Sequence, residues 1–259
     1  MDLGLAGRVA LVTAASKGMG KASAMGLAAE GAKVVICART ESELKTAAEE
    51  IRARTRAEVL AIPADVTKKD DVSALVDRAI KTFGHIDILV ANAGGPPRGY
   101  FEEMTDEQWQ GAFDVSLLSV VRLVRGVLPS MKARRWGRIL TIQSVSVKQP
   151  IPELLLSNAV RPGVAGMMKT LAGQLGKDGI TVNTVCPGKI MTDRFLGGQK
   201  ISGLSREQYL ARAVEDVPVG RVGTPEEFAN VIVFLASERA SYVTGVSVQV
   251  DGGLVRGLL

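Results

Sequence analysis

Short apolar runs rich in β-branched residues alternate along this chain with longer amphipathic stretches, and this alternation constrains the fold most. Each run is short and nearly continuous in hydrophobicity, which is typical of strands buried on both faces of a parallel sheet. Seven such runs occupy residues 8–14, 33–39, 58–65, 86–94, 137–144, 181–188 and 246–253. Helical patterns lie between them, at residues 20–32, 41–55, 70–84 and 225–237.

Alternating strands and helices of this length specify right-handed crossovers and a doubly wound sheet. The sequence therefore predicts an α/β fold with a doubly wound parallel sheet of about seven strands. Neither a shift in composition nor a linker rich in Pro and Gly divides the chain, so residues 1–259 are predicted to form a single domain. Residues 189–215 show no strand and no clear helical pattern, and we expect a mobile substrate-loop insertion there.

Composition argues against several classes of function. The net charge is only +5, and the basic stretch at residues 131–138 lacks an aromatic stacking platform, so no nucleic-acid partner is expected. No apolar run approaches the roughly 20 residues that span a bilayer, and no membrane partner is expected. Cys37 and Cys186 are interpreted as small buried hydrophobes, and with His85 as the single histidine we predict no metal site. The expected location is the cytoplasm.

The first predicted strand runs directly into a turn, TAASKGMG at residues 13–20, and then into a helix. Glycines at such a turn let the backbone approach a phosphate, and the free N–H groups of the helix start bind it. Gly18 and Gly20 fill this role, while Ala14 stands where a third glycine is expected. In its strand–helix–strand setting, the turn indicates a dinucleotide site.

The end of the second predicted strand bears on the choice of dinucleotide. An Asp or Glu there usually binds a free ribose 2′-hydroxyl, but this chain has Arg39, which suits a 2′-phosphate. Lys17, in the preceding turn, adds a second positive charge. These residues favour NADP(H) over NAD(H). Two alternatives stay open, because Glu41 lies close by and a strand-end arginine also reaches into water without a ligand.

Six motifs together resemble the short-chain dehydrogenase/reductase family, in particular its 3-oxoacyl-acyl-carrier-protein-reductase-like branch. They are TAASKGMG (13–20), AD (64–65), NAG (92–94), GRILTIQS (137–144), PGKIMT (187–192) and YVTGVSVQVDGG (242–253). The resemblance covers nearly the whole chain, in the family's order. It implies a Rossmann fold, a homotetramer and the following cofactor-binding residues: Thr13, Ser16, Lys17, Gly18, Met19, Gly20, Arg39, Thr40, Asp65, Val66, Asn92, Ala93, Gly94, Arg161, Pro187, Gly188, Ile190 and Thr192.

The same resemblance implies catalytic positions, which in the family hold Asn, Ser, Tyr and Lys. The family serine matches Ser144, with Ser146 as a weaker candidate. The tyrosine position holds Ser157 and the lysine position, four residues later, holds Arg161. The asparagine position falls on Ser116 in FDVSL. One of the four family residues is therefore kept.

These changes alter the expected chemistry. A serine hydroxyl is a far weaker acid than a phenol, and an arginine supplies positive charge without giving up its proton. Pro162 directly follows Arg161 and lacks an N–H, so we predict that the helix begins at Pro162. Ser157 and Arg161 are then expected on a loop that leads into the helix.

Two functions remain open at this point. The first is an NADP(H)-dependent oxidoreductase that acts on a small carbonyl/alcohol pair with an atypical active site, in which Ser144 and Arg161 orient the carbonyl. The second is a dinucleotide-binding protein without turnover. Lys148, Tyr100 and Tyr209 are weaker candidates for a substitute acid, and each is interpreted as a surface or packing residue.

Overall fold

A computed structural model describes residues 1–258, so the last residue of the predicted 1–259 domain lies outside the described part. The strands are β1 Val9–Val12, β2 Lys33–Ala38, β3 Val59–Pro63, β4 Ile88–Ala91, β5 Gly137–Ile142, β6 Ile180–Pro187 and β7 Ser247–Val250. The helices are α1 Gly18–Ala29, α2 Glu41–Thr55, α3 Lys69–Phe83, α4 Asp106–Phe113, α5 Ser119–Arg134, α6 Leu155–Leu175, α7 Asp193–Ser202, α8 Arg206–Val214 and α9 Pro225–Ala236. All seven predicted strands are confirmed.

The strands form one parallel sheet in the order β3-β2-β1-β4-β5-β6-β7. Because successive side chains of a strand point to opposite faces, each strand contributes to two cores. Ala10 and Val12 of β1 pack with helices α1, α2 and α9, whereas Val9 and Leu11 pack with α3, α5 and α6. The predicted doubly wound α/β fold is confirmed, and the strand order reverses between β1 and β4.

The prediction that the sixth helix begins at Pro162 is wrong. Helix α6 begins at Leu155 and continues through Pro162 to Leu175. A proline inside a helix removes one backbone hydrogen bond, but burial of a long apolar face outweighs this local cost. That face consists of Leu156, Val160, Val164, Met168, Ala172 and Leu175, all of them buried.

The prediction that residues 189–215 lack regular structure is also wrong. This segment contains helices α7 and α8, each with a polar residue capping its first turn. The Thr192 hydroxyl accepts a hydrogen bond from the backbone of Phe195 at 3.2 Å, and Ser205 and Gln208 form a reciprocal capping box. The predicted insertion at residues 189–215 therefore contains a pair of short helices.

Three smaller predictions concern α9 and the cysteines. The helical pattern predicted at residues 225–237 corresponds to α9, which Thr224 and Glu227 cap reciprocally and in which Pro225 is the first residue. Cys37 and Cys186 are both buried and unpaired, and burial raises the pKa of Cys37 to about 12, so its thiol stays protonated. Across residues 1–258 no helix has the length and apolar character that crossing a membrane requires.

Candidate functional site

The carboxyl ends of β1 and β4 meet at the reversal of strand order, where ligands of doubly wound sheets bind. Thr13 and Asn92 join the two ends. The Thr13 hydroxyl donates to the carbonyl of Asn92 at 2.6 Å and accepts from its backbone N–H at 2.8 Å. The Asn92 side-chain amide donates to the carbonyl of Ala14 at 3.3 Å. These bonds fix the start of the turn that leads into α1.

The turn into α1 leaves a cradle of exposed backbone groups. Helix α1 begins at Gly18, and neither a capping side chain nor an acidic residue occupies the free N–H groups of its first turn. A Cβ atom at Gly20 would collide with the carbonyl of Ala14 and lie 2.9 Å from Nδ2 of Asn92. Such a close approach of bare backbone to a helix start fits a dinucleotide diphosphate.

The carboxyl end of β2 carries positive charge. Arg39 is exposed and, among the described residues, has no ion-pair partner within 4.0 Å. Its charge acts on Asp65. Burial raises the pKa of Asp65, but hydrogen bonds from Thr67 and the charge of Arg39 outweigh that effect and hold this pKa below its usual value.

Two further charged residues at this end of the sheet, Glu41 and Lys17, are already paired. Glu41, the residue that favours a free ribose hydroxyl, forms an ion pair with Lys45 at 2.8 Å. Lys17 forms one with Glu43, also at 2.8 Å. Arg39 is thus free to bind an anionic ligand at this end of the sheet. Lys17 has to give up its ion pair with Glu43 before it can bind another anion.

A cavity of about 180 Å³ lies where β4, β5 and β6 end, and we refer to it as the catalytic cavity. It opens beside a larger cleft of about 870 Å³ that α7 and α8 help to line. The catalytic cavity is lined by Met19, Asn92, Ala93, Gly95, Pro96, Arg98, Ile142, Gln143, Ser144, Leu154, Ser157, Arg161, Pro187, Gly188, Ile190, Thr192, Arg194 and Phe195. Three of the four predicted catalytic positions and seven further predicted cofactor residues therefore share one space.

Ser157 and Arg161 reach this cavity from consecutive turns of α6, because residues four apart share a helix face. Both are buried. The Ser157 hydroxyl lies 3.0 Å from the Ser146 hydroxyl, so Ser146 orients Ser157. Ser146 itself does not line the cavity. Ser144 lines the cavity, and its hydroxyl accepts from the backbone of Ser146 at 3.1 Å. The expected loop placement of Ser157 and Arg161 is replaced by a regular helical one.

The Arg161 guanidinium is a buried cation without a carboxylate partner within 4.0 Å in residues 1–258. It donates to Oε1 of Gln143 at 3.1 Å, and its Nε has no protein partner. Burial, and then the charge of Arg194, lower the pKa of Arg161 to about 10. The side chain therefore remains charged at neutral pH.

Ser116 lies beside Arg161 in an unusual stretch of backbone. Residues Asp114–Leu118 form a π-helical turn, a distortion frequent at functional sites. The Ser116 hydroxyl is buried without a protein partner, and it lines a small cavity that Gln143 and Arg161 also line. The structure thus brings together Ser116, Ser144, Ser157 and Arg161.

The remaining predicted cofactor residues follow the strands toward the far end of the groove. They are Thr13, Ser16, Lys17, Gly18 and Gly20 after β1, Arg39 and Thr40 after β2, Asp65 and Val66 after β3, and Gly94 after β4. The weaker candidates lie elsewhere. Lys148 is exposed, Tyr100 is exposed on a short helical turn, and Tyr209 donates to the carbonyl of Phe195 at 3.1 Å in the wider cleft.

Sequence reasoning missed Gln143 and Arg194. Gln143 precedes the predicted Ser144, and this adjacency was the available signal. Arg194 is the second residue of α7 and donates to the backbone carbonyls of Gly95 and Pro96 at 3.1 and 3.0 Å. A Cβ at Gly95 would collide with this guanidinium, so Gly95 makes room for it.

Known proteins are similar to this chain in both sequence and structure. Residues 13–255 match the family profile described as enoyl-(acyl carrier protein) reductase. The 3-oxoacyl-(acyl-carrier-protein) reductase FabG of Escherichia coli strain K12 is 36% identical over 250 residues, which cover 96% of this chain and 97% of that protein.

Two solved structures have closely similar folds. L-sorbose reductase from Gluconobacter frateurii, complexed with NADPH and L-sorbose, superposes with a TM-score of 0.96 at 37% identity over the full length of both chains. An NADPH-bound short-chain oxidoreductase from Pseudomonas aeruginosa PAO1, described as containing an atypical catalytic center, has a TM-score of 0.91 at 32% identity and covers 96% and 97% of the two chains. The sheet, the glycine turn and this match along nearly the whole chain establish that the protein belongs to the short-chain dehydrogenase/reductase family, among relatives of its 3-oxoacyl-acyl-carrier-protein reductases.

Proposed function

We propose that this protein is an NADP(H)-dependent oxidoreductase that interconverts a carbonyl and an alcohol on a small molecule, with Ser157 and Arg161 in place of the family's tyrosine and lysine. The observation that carries the proposal is the convergence of Ser144, Ser157 and Arg161 on one cavity next to the glycine turn. The similar L-sorbose reductase and the similar NADPH-bound oxidoreductase support it. By resemblance, the assembly is a homotetramer, which light scattering tests.

The chain's own residues fit the cofactor. The bare backbone at Gly20 and the uncapped start of α1 suit its diphosphate, and the free guanidinium of Arg39 suits its 2′-phosphate. Arg161, whose Nε has no protein partner, lines the same cavity as the predicted cofactor residues Gly188 and Thr192. When bound, the nicotinamide supplies the hydride that reduces the carbonyl carbon.

The cavity residues then stabilise the charge that develops on the carbonyl oxygen. The hydroxyls of Ser144 and Ser157 donate hydrogen bonds to this oxygen, and the Arg161 cation lowers the energy of the alkoxide. Arg161 holds its position through Gln143, and Ser157 through Ser146. Because the Arg161 pKa of about 10 lies well above neutrality, this side chain contributes charge and not the proton.

The proton reaches the alkoxide through a hydroxyl. Ser157 passes its proton to the substrate oxygen and takes one from water in the open cleft that adjoins the cavity. Because a serine hydroxyl is a far weaker acid than a phenol, this transfer loses most of the factor of about 10²–10⁴ in rate that a well-matched acid supplies. We therefore expect slow turnover of generic ketones, with most of the remaining catalysis due to orientation and charge.

The proposal is tested by following NADPH consumption with a panel of small ketones and aldehydes, beside a calorimetric titration of NADPH. Arg161→Met should reduce kcat by about 10²-fold or more, because it leaves the alkoxide without a cation. Arg161→Lys is the matched control, since it keeps the charge, and should retain most of the activity. NADPH binding without turnover on any carbonyl compound would favour the second candidate, a dinucleotide-binding protein without catalysis.

A further inference from the structure

Three arginines converge on the catalytic cavity, and this is more positive charge than the surrounding acids balance. Arg98, Arg161 and Arg194 all line it. Arg98 is balanced by Glu153, whose carboxylate lies 3.2 Å away. For Arg161 and Arg194, no carboxylate of residues 1–258 lies within 4.0 Å, so two guanidinium charges remain uncompensated.

These guanidinium groups act on one another. The charge of Arg194 contributes to the lowered pKa of Arg161. Partial desolvation, and then the charge of Arg98, lower the pKa of Arg194. Repulsion between like charges is costly in a partly enclosed space, and an anion placed between them relieves it.

The hydrogen bonds of these groups leave capacity for a ligand. Arg194 donates to the carbonyls of Gly95 and Pro96, which fix its plane without neutralising its charge. Arg161 donates to a neutral amide oxygen, and its buried Nε is unpartnered. A planar guanidinium held in this way is suited to pairing with a carboxylate or a phosphate group.

We propose that the substrate of this site is anionic, a small carbonyl compound whose carboxylate or phosphate group pairs with Arg194 while its carbonyl faces Ser144 and Ser157. The inference rests on the proposed oxidoreductase function. Arg194, Ser144 and Ser157 all line the cavity of about 180 Å³, so a compound of a few carbon atoms is the size we expect to contact them together.

Matched pairs of compounds separate charge from shape. One pair is 4-oxopentanoate and 4-oxopentanamide, and the other is dihydroxyacetone phosphate and dihydroxyacetone. For at least one pair, kcat/KM of the anionic member should exceed that of the neutral one by about tenfold or more, because charge-assisted hydrogen bonds are the stronger ones. The pair with the larger ratio distinguishes a carboxylate from a phosphate substrate. Ratios near one in both pairs would overturn the proposal.

Substitution of Arg194 tests whether the preference for anionic over neutral compounds depends on this residue. Arg194→Met should lower the anionic-to-neutral ratio by about fivefold or more. Arg78→Met, which removes an exposed arginine of α3 far from the cavity, should leave the ratio unchanged. If Arg194→Met instead weakens NADPH binding and affects both members of a pair equally, the guanidinium serves the cofactor and the proposal is wrong.

A binding measurement keeps the two proposals separable. Pentanoate and pentanamide, which cannot be reduced, are titrated calorimetrically into the NADPH-loaded protein, and inorganic phosphate serves as the third probe. Tighter binding of pentanoate or phosphate than of pentanamide, lost in Arg194→Met, supports the anion site even if no carbonyl compound is turned over. Equal or absent binding of all three probes would overturn the anion site even if neutral ketones are reduced.

Discussion

At the scale of single residues, Ala14 and Arg39 show how one side chain sets a local property. Ala14 has a φ of +47°, a left-handed conformation that costs a residue with a Cβ about 1–2 kcal/mol. The carbonyl of Ala14 accepts from Asn92, so this strained residue is held within the cofactor turn. Arg39, by contrast, is free at the end of β2, and its charge is available to a ligand.

Ala14→Gly should stabilise the protein. The relief of left-handed strain exceeds the entropy that glycine adds to the unfolded chain, for a net gain of about 0.5–1 kcal/mol. Thermal unfolding should show an increase in Tm of about 2–4 °C per kcal/mol. Ala15→Gly is the control, because Ala15 is buried with ordinary backbone angles, and it should lower Tm. A lower Tm for Ala14→Gly would show that no strain is stored at this turn.

Arg39 should determine cofactor preference. We expect NADPH to bind more tightly than NADH by about 1.5–3 kcal/mol, and Arg39→Ala to remove most of that difference. Lys17→Ala should have a smaller effect, since Lys17 is already paired with Glu43. Isothermal titration of each variant with both cofactors measures this, and equal affinities in the unsubstituted protein would refute the assignment.

At the scale of elements, α6 positions the proposed catalytic pair, Ser157 and Arg161. Ser157 and Arg161 lie one turn apart on its cavity-facing side, in a helix that Pro162 does not break. Asn158 anchors the first turn, since its side chain bonds both the N–H and the carbonyl of Ile151, at 3.1 and 2.7 Å. A tyrosine and a lysine introduced at these two positions therefore meet a backbone that already points them into the cavity.

The double substitution Ser157→Tyr with Arg161→Lys should raise reduction of activated ketones by about 10²-fold, because it restores a phenol next to a cation. Because Ser157 lines the cavity, we expect the introduced tyrosine ring to extend into it. Adding Pro162→Ala should change the rate little further, since the helix is already formed. If the gain appears only in the triple variant, Pro162 displaces the pair in spite of the helical backbone.

Sequence patterns predicted some elements better than others, and the reason is where the stabilising contacts lie. Most of the strands are short, apolar runs whose own residues form the core, so their pattern was sufficient. The start of α6 was mispredicted because local proline chemistry was outweighed by distant packing. Helix α7 contains Gly197 and Gly198, which weaken its helical pattern. The contact of Arg194 with Gly95 joins residues 99 positions apart and leaves no local signal.

At the scale of the whole molecule, the two edges of the sheet have different tasks. The carboxyl edge carries the cavity, whereas the amino edge carries a buried aspartate, Asp87. Its carboxylate accepts from the backbone of Val9 at 3.0 Å and from Arg134 at 3.2 Å, and it lies 3.0 Å from His85. His85 therefore lies at the opposite end of the strands from the cavity.

Asp87→Asn should destabilise the fold by about 1–3 kcal/mol, because it removes the charge of a buried carboxylate that accepts hydrogen bonds from Val9 and from the half-exposed Arg134. Asp178→Asn is the control, since Asp178 pairs with the half-exposed Lys132 at 3.8 Å, and it should cost less than about 1 kcal/mol. Urea unfolding measures both. The affinity of folded Asp87→Asn for NADPH should stay within about twofold, and a large loss would show that the two edges are coupled.

The pH dependence of activity should reflect Arg161. Its protonated form is the active one, and its pKa lies near about 10, so kcat/KM should be nearly constant from about pH 6 to about pH 9 and fall only as pH rises further. The double variant, Ser157→Tyr with Arg161→Lys, should instead show an ionisation at lower pH, from its phenol. An ionisation near neutral pH in the kcat/KM profile of the unsubstituted protein would indicate that another residue acts as the acid.

The register of α6 places its apolar core residues and its two cavity residues on different parts of the helix surface. The apolar residues of its core face, from Leu156 to Leu175, are distinct from the two cavity positions, Ser157 and Arg161, so we expect their packing to tolerate a change at those positions. Exchange of those two side chains is therefore expected to change the proton-transfer step, while the core face of the helix continues to supply most of its contribution to the folding free energy. In evolutionary terms, two codon changes on one helix face are expected to exchange one proton-transfer chemistry for another while the fold is retained.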